Sequence, residues 1–183
     1  MVRLLAALFL LISGSMASAT EAGWALLRDG GHVVLLRHAN APGSGEPANF
    51  DLAKCATQRN LSDRGRQQAR RIGALFAARA APVEEVLTSS FCRCSETARL
   101  AFGDRVVALD TRLDFRPGDA GNEGKAAELD AFIRQYTGSA NLVLVVNEDV
   151  AEALLGVKPY EAEALIVARG GETLRVAGRI RFN

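Results

Sequence analysis

The clearest signals along the chain are short apolar runs that stop abruptly at polar residues. His32-Val33-Val34-Leu35-Leu36 ends at Arg37-His38, and Leu142-Val143-Leu144-Val145-Val146 ends at Asn147. Runs this short, rich in β-branched residues and bounded by Gly30-Gly31 and similar turn residues, predict buried strands over 32–38 and 142–146. Two further strands are expected over 83–90 and 106–109. Between them the apolar period changes: Ala69, Ile72, Leu75 and Phe76 recur as on a helix, with Ser62 as N-cap and an end before Pro82. Helices are also expected over 22–29, 96–102 and 126–136, with a short helical or turn segment over 151–155. Segments 163–168 and 173–181 read as a closing hairpin across Gly170-Gly171. Strands alternating with helices imply a three-layer α/β/α sandwich with a mainly parallel central sheet.

The two ends of the pattern set the domain organisation. Residues 1–19 begin with a basic Met1-Val2-Arg3, continue through an apolar stretch from Leu4 to Ile12, and finish on Ala17-Ser18-Ala19. That order predicts a secretory signal peptide cut after Ala19, because the apolar stretch is too short to span a bilayer. The mature chain over 20–183 is then one exported domain, periplasmic or secreted, with no stable membrane insertion after cleavage. Three cysteines fall in that exported part, Cys55, Cys92 and Cys94. A disulfide is expected there, from Cys55 to Cys92 or to Cys94, leaving one thiol over. Cys92-Arg93-Cys94 has neither zinc spacing nor the Cys-x-x-Cys redox pattern, so no metal and no cofactor is expected.

A formal net charge of +1, with both signs interspersed and aromatics at 6%, excludes the basic patch and stacking platform of a nucleic-acid binder. The chemistry concentrates at strand ends. In an open parallel sheet ligands bind beyond the carboxyl ends of the strands, so Arg37-His38, Ser89-Ser90 through Arg93, and Asn147 converge on one edge. Guanidinium groups fork onto phosphate or carboxylate, and an imidazole beside them can act as nucleophile. Trp24 reads as a packing anchor, and His32 as a strand-edge residue.

These blocks resemble a known family. Arg37-His38-Ala39, then Leu61-Ser62-Asp63-Arg64-Gly65-Arg66-Gln67-Gln68-Ala69, then Ser89-Ser90 through Arg93 to Glu96-Thr97-Ala98, are similar in order and spacing to the histidine phosphatase superfamily, also called phosphoglycerate mutase-like. Ala153-Leu154-Leu155-Gly156 echoes a late family segment. The resemblance implies hydrolysis of a phosphomonoester, small or on a phosphoprotein, through a phosphohistidine on His38. Arg37 and Arg93 would grip the phosphoryl oxygens, and a carboxylic acid would serve the leaving group. Asp114, Asp119 and Glu123 are candidates for that acid, with Asp114 preferred as nearest the strand end. Arg59 and Ser90 are candidate substrate contacts.

Two departures qualify what the resemblance implies. Ala39 stands where the family usually has glycine. Asn147 stands where the family has a second histidine against the phosphoryl group, followed by Glu148 and Asp149. An amide still donates to a phosphate oxygen but carries no positive charge. The resemblance therefore leaves two readings: a phosphatase of reduced activity, or a non-catalytic relative that binds an anion or a partner.

Overall fold

The computed structural model describes residues 20–103 and 107–182. The expected signal peptide lies outside the described residues. Six strands, β1 (Val33–Arg37), β2 (Val83–Thr88), β3 (Val107–Leu109), β4 (Asn141–Val146), β5 (Glu163–Ala168) and β6 (Arg175–Arg181), form one sheet in the order β3-β2-β4-β1-β5-β6. The β3-β2, β2-β4 and β4-β1 pairs are parallel, whereas β5 and β6 close the edge antiparallel. The sandwich is thus mainly parallel, with the expected hairpin at one side.

Alternation along the strands explains the two covering layers. Val34, Leu36, Val143, Val145, Ala164 and Ile166 face one side, where they pack with Trp24 and Leu27 of α1 (20–29), Ile72 and Phe76 of α2 (Asp63–Ala78), and Cys94 and Ala98 of α3 (Cys92–Phe102). Val33, Leu35, Leu142, Leu144, Val146 and Leu165 face the other, against Leu129 and Ile133 of α4 (Asn122–Gln135) and Val150 and Ala151 of α5 (Glu148–Leu155). Consecutive side chains of a strand point to opposite faces, so an unbroken apolar run is what a sheet covered on both faces requires. Trp24 is the anchor its position suggested, meeting Phe76 and Phe182 edge-on.

Three helices start three or four residues earlier than the sequence pattern indicates. α3 begins at Cys92 instead of 96, α4 at Asn122 instead of 126, and α5 at Glu148 instead of 151. The α5 shift has a direct cause: Glu148 and Asp149 are acidic residues in a first turn, where the helix dipole favours negative charge. Its consequence for the site is large, because Asn147 becomes the N-cap residue and both carboxylates stand at the head of the helix.

Candidate active site

Parallel pairing brings three strand ends side by side. Arg37 is in register with Val146, the His38 N–H donates to the Val146 carbonyl, and the Ser89 N–H donates to the Val145 carbonyl. The strand ends that carry His38, Asn147 and Ser89 are therefore neighbours on one sheet edge. From the other side α2 clamps the chain just past His38. Ser62 caps α2 by accepting from the Gly65 N–H, and its hydroxyl donates to Asn40 Oδ1 at 2.6 Å. Gly65 is required there: a Cβ would lie 2.1 Å from the Asn40 carbonyl oxygen.

A cavity of about 130 Å³ opens at this edge, lined by Arg37, His38, Gly45, Glu46, Arg59, Phe91, Arg93, Phe115, Pro117, Asn147, Glu148 and Asp149. Arg37, His38, Arg59, Arg93 and Asn147 are thus brought together. Ser90 and Asp114 are not part of this lining. Ser90 lines a neighbouring cleft with Phe50, Leu109 and Arg116. Asp114 is buried, with its Oδ1 accepting from Ser89 Oγ at 2.8 Å and from the Ser90 N–H at 2.6 Å. Asp119 and Glu123 are exposed. The segment after β3 reaches the cavity through Phe115 and Pro117 instead.

His38 is buried, and its Nδ1 lies 2.8 Å from the Ala39 carbonyl oxygen. A carbonyl can only accept, so Nδ1 carries the proton and Nε2 keeps the lone pair. Burial pushes the imidazole well below its usual value, and repulsion from Arg93, Arg37 and Arg59 adds to it, while the Ala39 carbonyl works the other way. A buried neutral imidazole with a fixed tautomer is what a nitrogen nucleophile needs.

The cations around it are engaged by acids. Arg93 is buried; its Nη1 lies 2.5 Å from Glu46 Oε1, its Nε donates to Asn147 Oδ1 at 2.8 Å, and its guanidinium rests 4.6 Å from the Phe91 ring centre. Arg37 Nη1 is 2.5 Å from Glu148 Oε2 and donates to the Pro159 carbonyl at 2.8 Å. Arg59 Nη1 donates to the Ala41 carbonyl at 2.6 Å. Burial, followed by repulsion from Arg93, lowers the Arg59 pKa. Three guanidinium groups thus share one cavity with three carboxyl groups. The protein's own acceptors do not saturate them, since the buried Nε of Arg37 and of Arg59 has no hydrogen-bond partner.

Asp149 differs from the other two acids. It lines the cavity without an ion pair to any described residue, and burial raises its pKa, helped by Glu148 and Glu152 against Lys158 and Arg37. Asn147 is oriented by its oxygen: Oδ1 accepts from Arg93 and from the buried Cys94 thiol at 3.6 Å, which leaves the amide NH₂ as its free donor. Burial pushes the Cys94 thiol up to about 12, so it acts as a neutral donor and not as a thiolate.

A disulfide joins Cys55 to Cys92, the residue before Arg93, and Cys94 is the free thiol. It fastens the 41–57 loop, which carries Glu46, to the start of α3. Gln58 reinforces the attachment by accepting from the Cys92 N–H at 2.9 Å. Glu46 was not among the expected site residues, although it is the one acid in the Gly/Pro-rich stretch 41–50. Among the described residues no group of three or more His, Cys, Asp or Glu side chains could hold a metal ion. No helix of the described residues is long and apolar enough to cross a membrane.

A family model for the histidine phosphatase superfamily (branch 1) matches residues 33–139. The chain belongs to that superfamily. Solved structures agree on its fold. The protein histidine phosphatase SixA complexed with tungstate is similar at 19% identity, with a TM-score of 0.55 over 82% of this chain and 96% of that one. Phosphoglycerate mutase from Thermus thermophilus is similar at 18% identity, with a TM-score of 0.59 over 83% of this chain and 99% of that one. A mycobacterial glucosyl-3-phosphoglycerate phosphatase is similar at 20% identity, with a TM-score of 0.54 over 80% of this chain and 97% of that one. A search of curated proteins finds no match. The histidine phosphatase match contains the Arg37-His38 and Arg93 blocks, and stops before Asn147.

Proposed function

We propose that this histidine phosphatase superfamily member hydrolyses a phosphomonoester through a phosphohistidine on His38. One observation carries the reading: Nδ1–H is committed to the Ala39 carbonyl, so the ring presents an unprotonated Nε2 in a cavity that also holds Arg37 and Arg93. In the first step Nε2 attacks phosphorus while the bond to the leaving oxygen breaks. The ring becomes cationic, and the Ala39 carbonyl stabilises its Nδ1–H. Arg37, Arg93 and the Asn147 NH₂ meet the phosphoryl oxygens as charge shifts among them.

Proton transfer is assigned to Asp149. Glu46 and Glu148 are each held by an arginine, and Asp114 lies outside the cavity lining, whereas Asp149 lines it with a pKa raised by burial. Its carboxylic proton passes to the leaving oxygen. The resulting carboxylate then takes a proton from water as that water attacks phosphorus, the N–P bond breaks, and inorganic phosphate leaves with His38 neutral again. Asp114 becomes a positioning residue that fixes the turn at Ser89 and Ser90 ahead of α3.

A phosphoprotein or a small organic phosphate could supply the phosphoryl group. SixA is a protein histidine phosphatase, and another similar structure is a glucosyl-3-phosphoglycerate phosphatase. Export to the periplasm or beyond is part of the proposal, supported by the Cys55–Cys92 disulfide. The second reading, an anion-binding or interaction protein without turnover, is favoured by the carboxylates that hold Arg37 and Arg93. Hydrolysis of phenyl phosphate without added metal separates the two: turnover abolished in His38→Ala supports the phosphatase, and binding of inorganic phosphate with no turnover supports the alternative.

A further inference from the structure

A second cleft, of about 330 Å³, shares Arg37 with the first cavity and is lined by Arg37, Asn40, Arg64, Gln68, Tyr160 and Glu161. A third depression follows, of about 230 Å³, lined by Arg64, Gln67, Gln68 and Arg71. Arg37 is shared by the first two and Arg64 by the last two. Together they make a track of cations, Arg37 to Arg64 to Arg71, leading away from His38.

Arg37, at the near end, is held by Glu148, but the charge at the far end of this track is not neutralised by described residues. Arg64 and Arg71 are exposed and make no ion pair with described residues, whereas Arg66 on the same helix is shared between Asp63 and Glu96. Residues 64 and 71 are two turns apart on α2, so both present to the same side, separated by about 10 Å along the axis. The one carboxylate in the second cleft, Glu161, is already used: it accepts from Asn40 Nδ2 at 2.7 Å and from the Ala41 N–H at 3.1 Å, and lies 3.8 Å from Arg59. Gln68 is equally fixed, donating to the Phe182 carbonyl and accepting from the Asn40 N–H. Tyr160 is covered by the Arg181 guanidinium at 3.7 Å, and Arg181 is itself engaged by Glu163 at 3.4 Å.

We infer that this cleft, with Arg64 and Arg71, is a second anion subsite, and that the substrate is an organic phosphate carrying another anionic group, phosphate or carboxylate, on the far side of Arg37. The inference rests on the phosphatase reading for what fills the first cavity, and it adds the class of molecule attached to the scissile phosphate. A single rigid floor supports both subsites, because Asn40 is tied to α2 through Ser62 and Gln68 and follows His38 by two residues. Arg64 and Arg71 act on binding only, since neither lines the cavity that holds His38.

Binding of non-hydrolysable phosphonates tests this apart from turnover. Calorimetry on the wild-type protein at low salt compares hexylphosphonate, hexamethylene bisphosphonate and a phosphonohexanoate, and repeats the series on Arg64→Ala/Arg71→Ala. The bisphosphonate or the carboxylate is expected to bind about tenfold more tightly than hexylphosphonate. The double variant loses that advantage while its affinity for hexylphosphonate stays the same. Whichever second anion gives the gain names the substrate class. Equal affinity of all three for the wild type, or an advantage that survives in the double variant, overturns the subsite. Selective binding without hydrolysis of any phosphate ester leaves the subsite standing and removes only the phosphatase reading.

Discussion

A carboxylate oxygen of Glu46 lies 2.5 Å from Nη1 of Arg93, so the guanidinium expected to meet phosphate already holds an anion. Glu148 stands in the same relation to Arg37. An entering phosphate dianion must displace or repel these carboxylates, and its affinity is reduced by that competition. The charge-removing variant Glu46→Gln is therefore expected to bind inorganic phosphate about fivefold to tenfold more tightly, measured by calorimetry. Unchanged or weaker binding would show that Glu46 organises Arg93 and does not compete for it.

The pH dependence of stability follows from His38. Its folded pKa is depressed, so between that depressed value and about 6.5 the unfolded chain binds more protons than the folded one, and stability must fall as pH drops through this window. Asp149 has the opposite sign and acts lower, in the carboxylate range, because its folded pKa is raised. Urea unfolding of the wild type should thus lose stability below about pH 6.5, with a shallower loss in His38→Asn. Parallel slopes for the two proteins would contradict a buried neutral imidazole.

Activity should show the same two groups differently. A depressed His38 keeps Nε2 unprotonated into mildly acidic solution, and a raised Asp149 remains a proton donor to higher pH than an ordinary carboxyl. The kcat profile on phenyl phosphate should therefore fall on the alkaline side as Asp149 ionises. Asp149→Asn is expected to lower kcat about a hundredfold and to remove that limb, whereas Asp114→Asn retains it. The reverse assignment of the limb would return the acid role to Asp114.

The Cys55–Cys92 bond spans 37 residues and holds the Glu46 loop beside Arg93. Its loss, by Cys55→Ser/Cys92→Ser, is expected to cost about 3 kcal/mol and to lower Tm by roughly 10 °C. Thermal unfolding of the variant beside the oxidised wild type measures this, and a shift below a couple of degrees would show that the hydrogen bonds of Gln58 alone retain the loop.

Much of the fold was legible because the strands are nearly pure apolar runs. The segments expected over 32–38, 142–146 and 163–168 became β1, β4 and β5 with end shifts of a single residue or none. Helix starts were harder. Gly121-Asn122-Glu123-Gly124 has the composition of a loop, and α4 nevertheless begins inside it, because Leu129 and Ile133 fix the helix on the sheet and the chain winds back from there. In the site, the strand-end residues Arg37, His38 and Asn147 were readable since their positions follow from the sheet. Loop side chains were not: Asp114 and Glu46 both sit in irregular segments, and only the tertiary path turns Glu46 toward Arg93 and Asp114 toward Ser89.

The central claim is that His38 Nε2 takes the phosphoryl group. Rapid quenching of the wild-type protein during turnover of phenyl phosphate, followed by peptide mass spectrometry under alkaline conditions, tests it most directly. The account predicts an acid-labile, base-stable phosphoryl group on the peptide that contains His38, absent from His38→Asn. Steady hydrolysis with no such adduct, and with activity retained in His38→Asn, would contradict it.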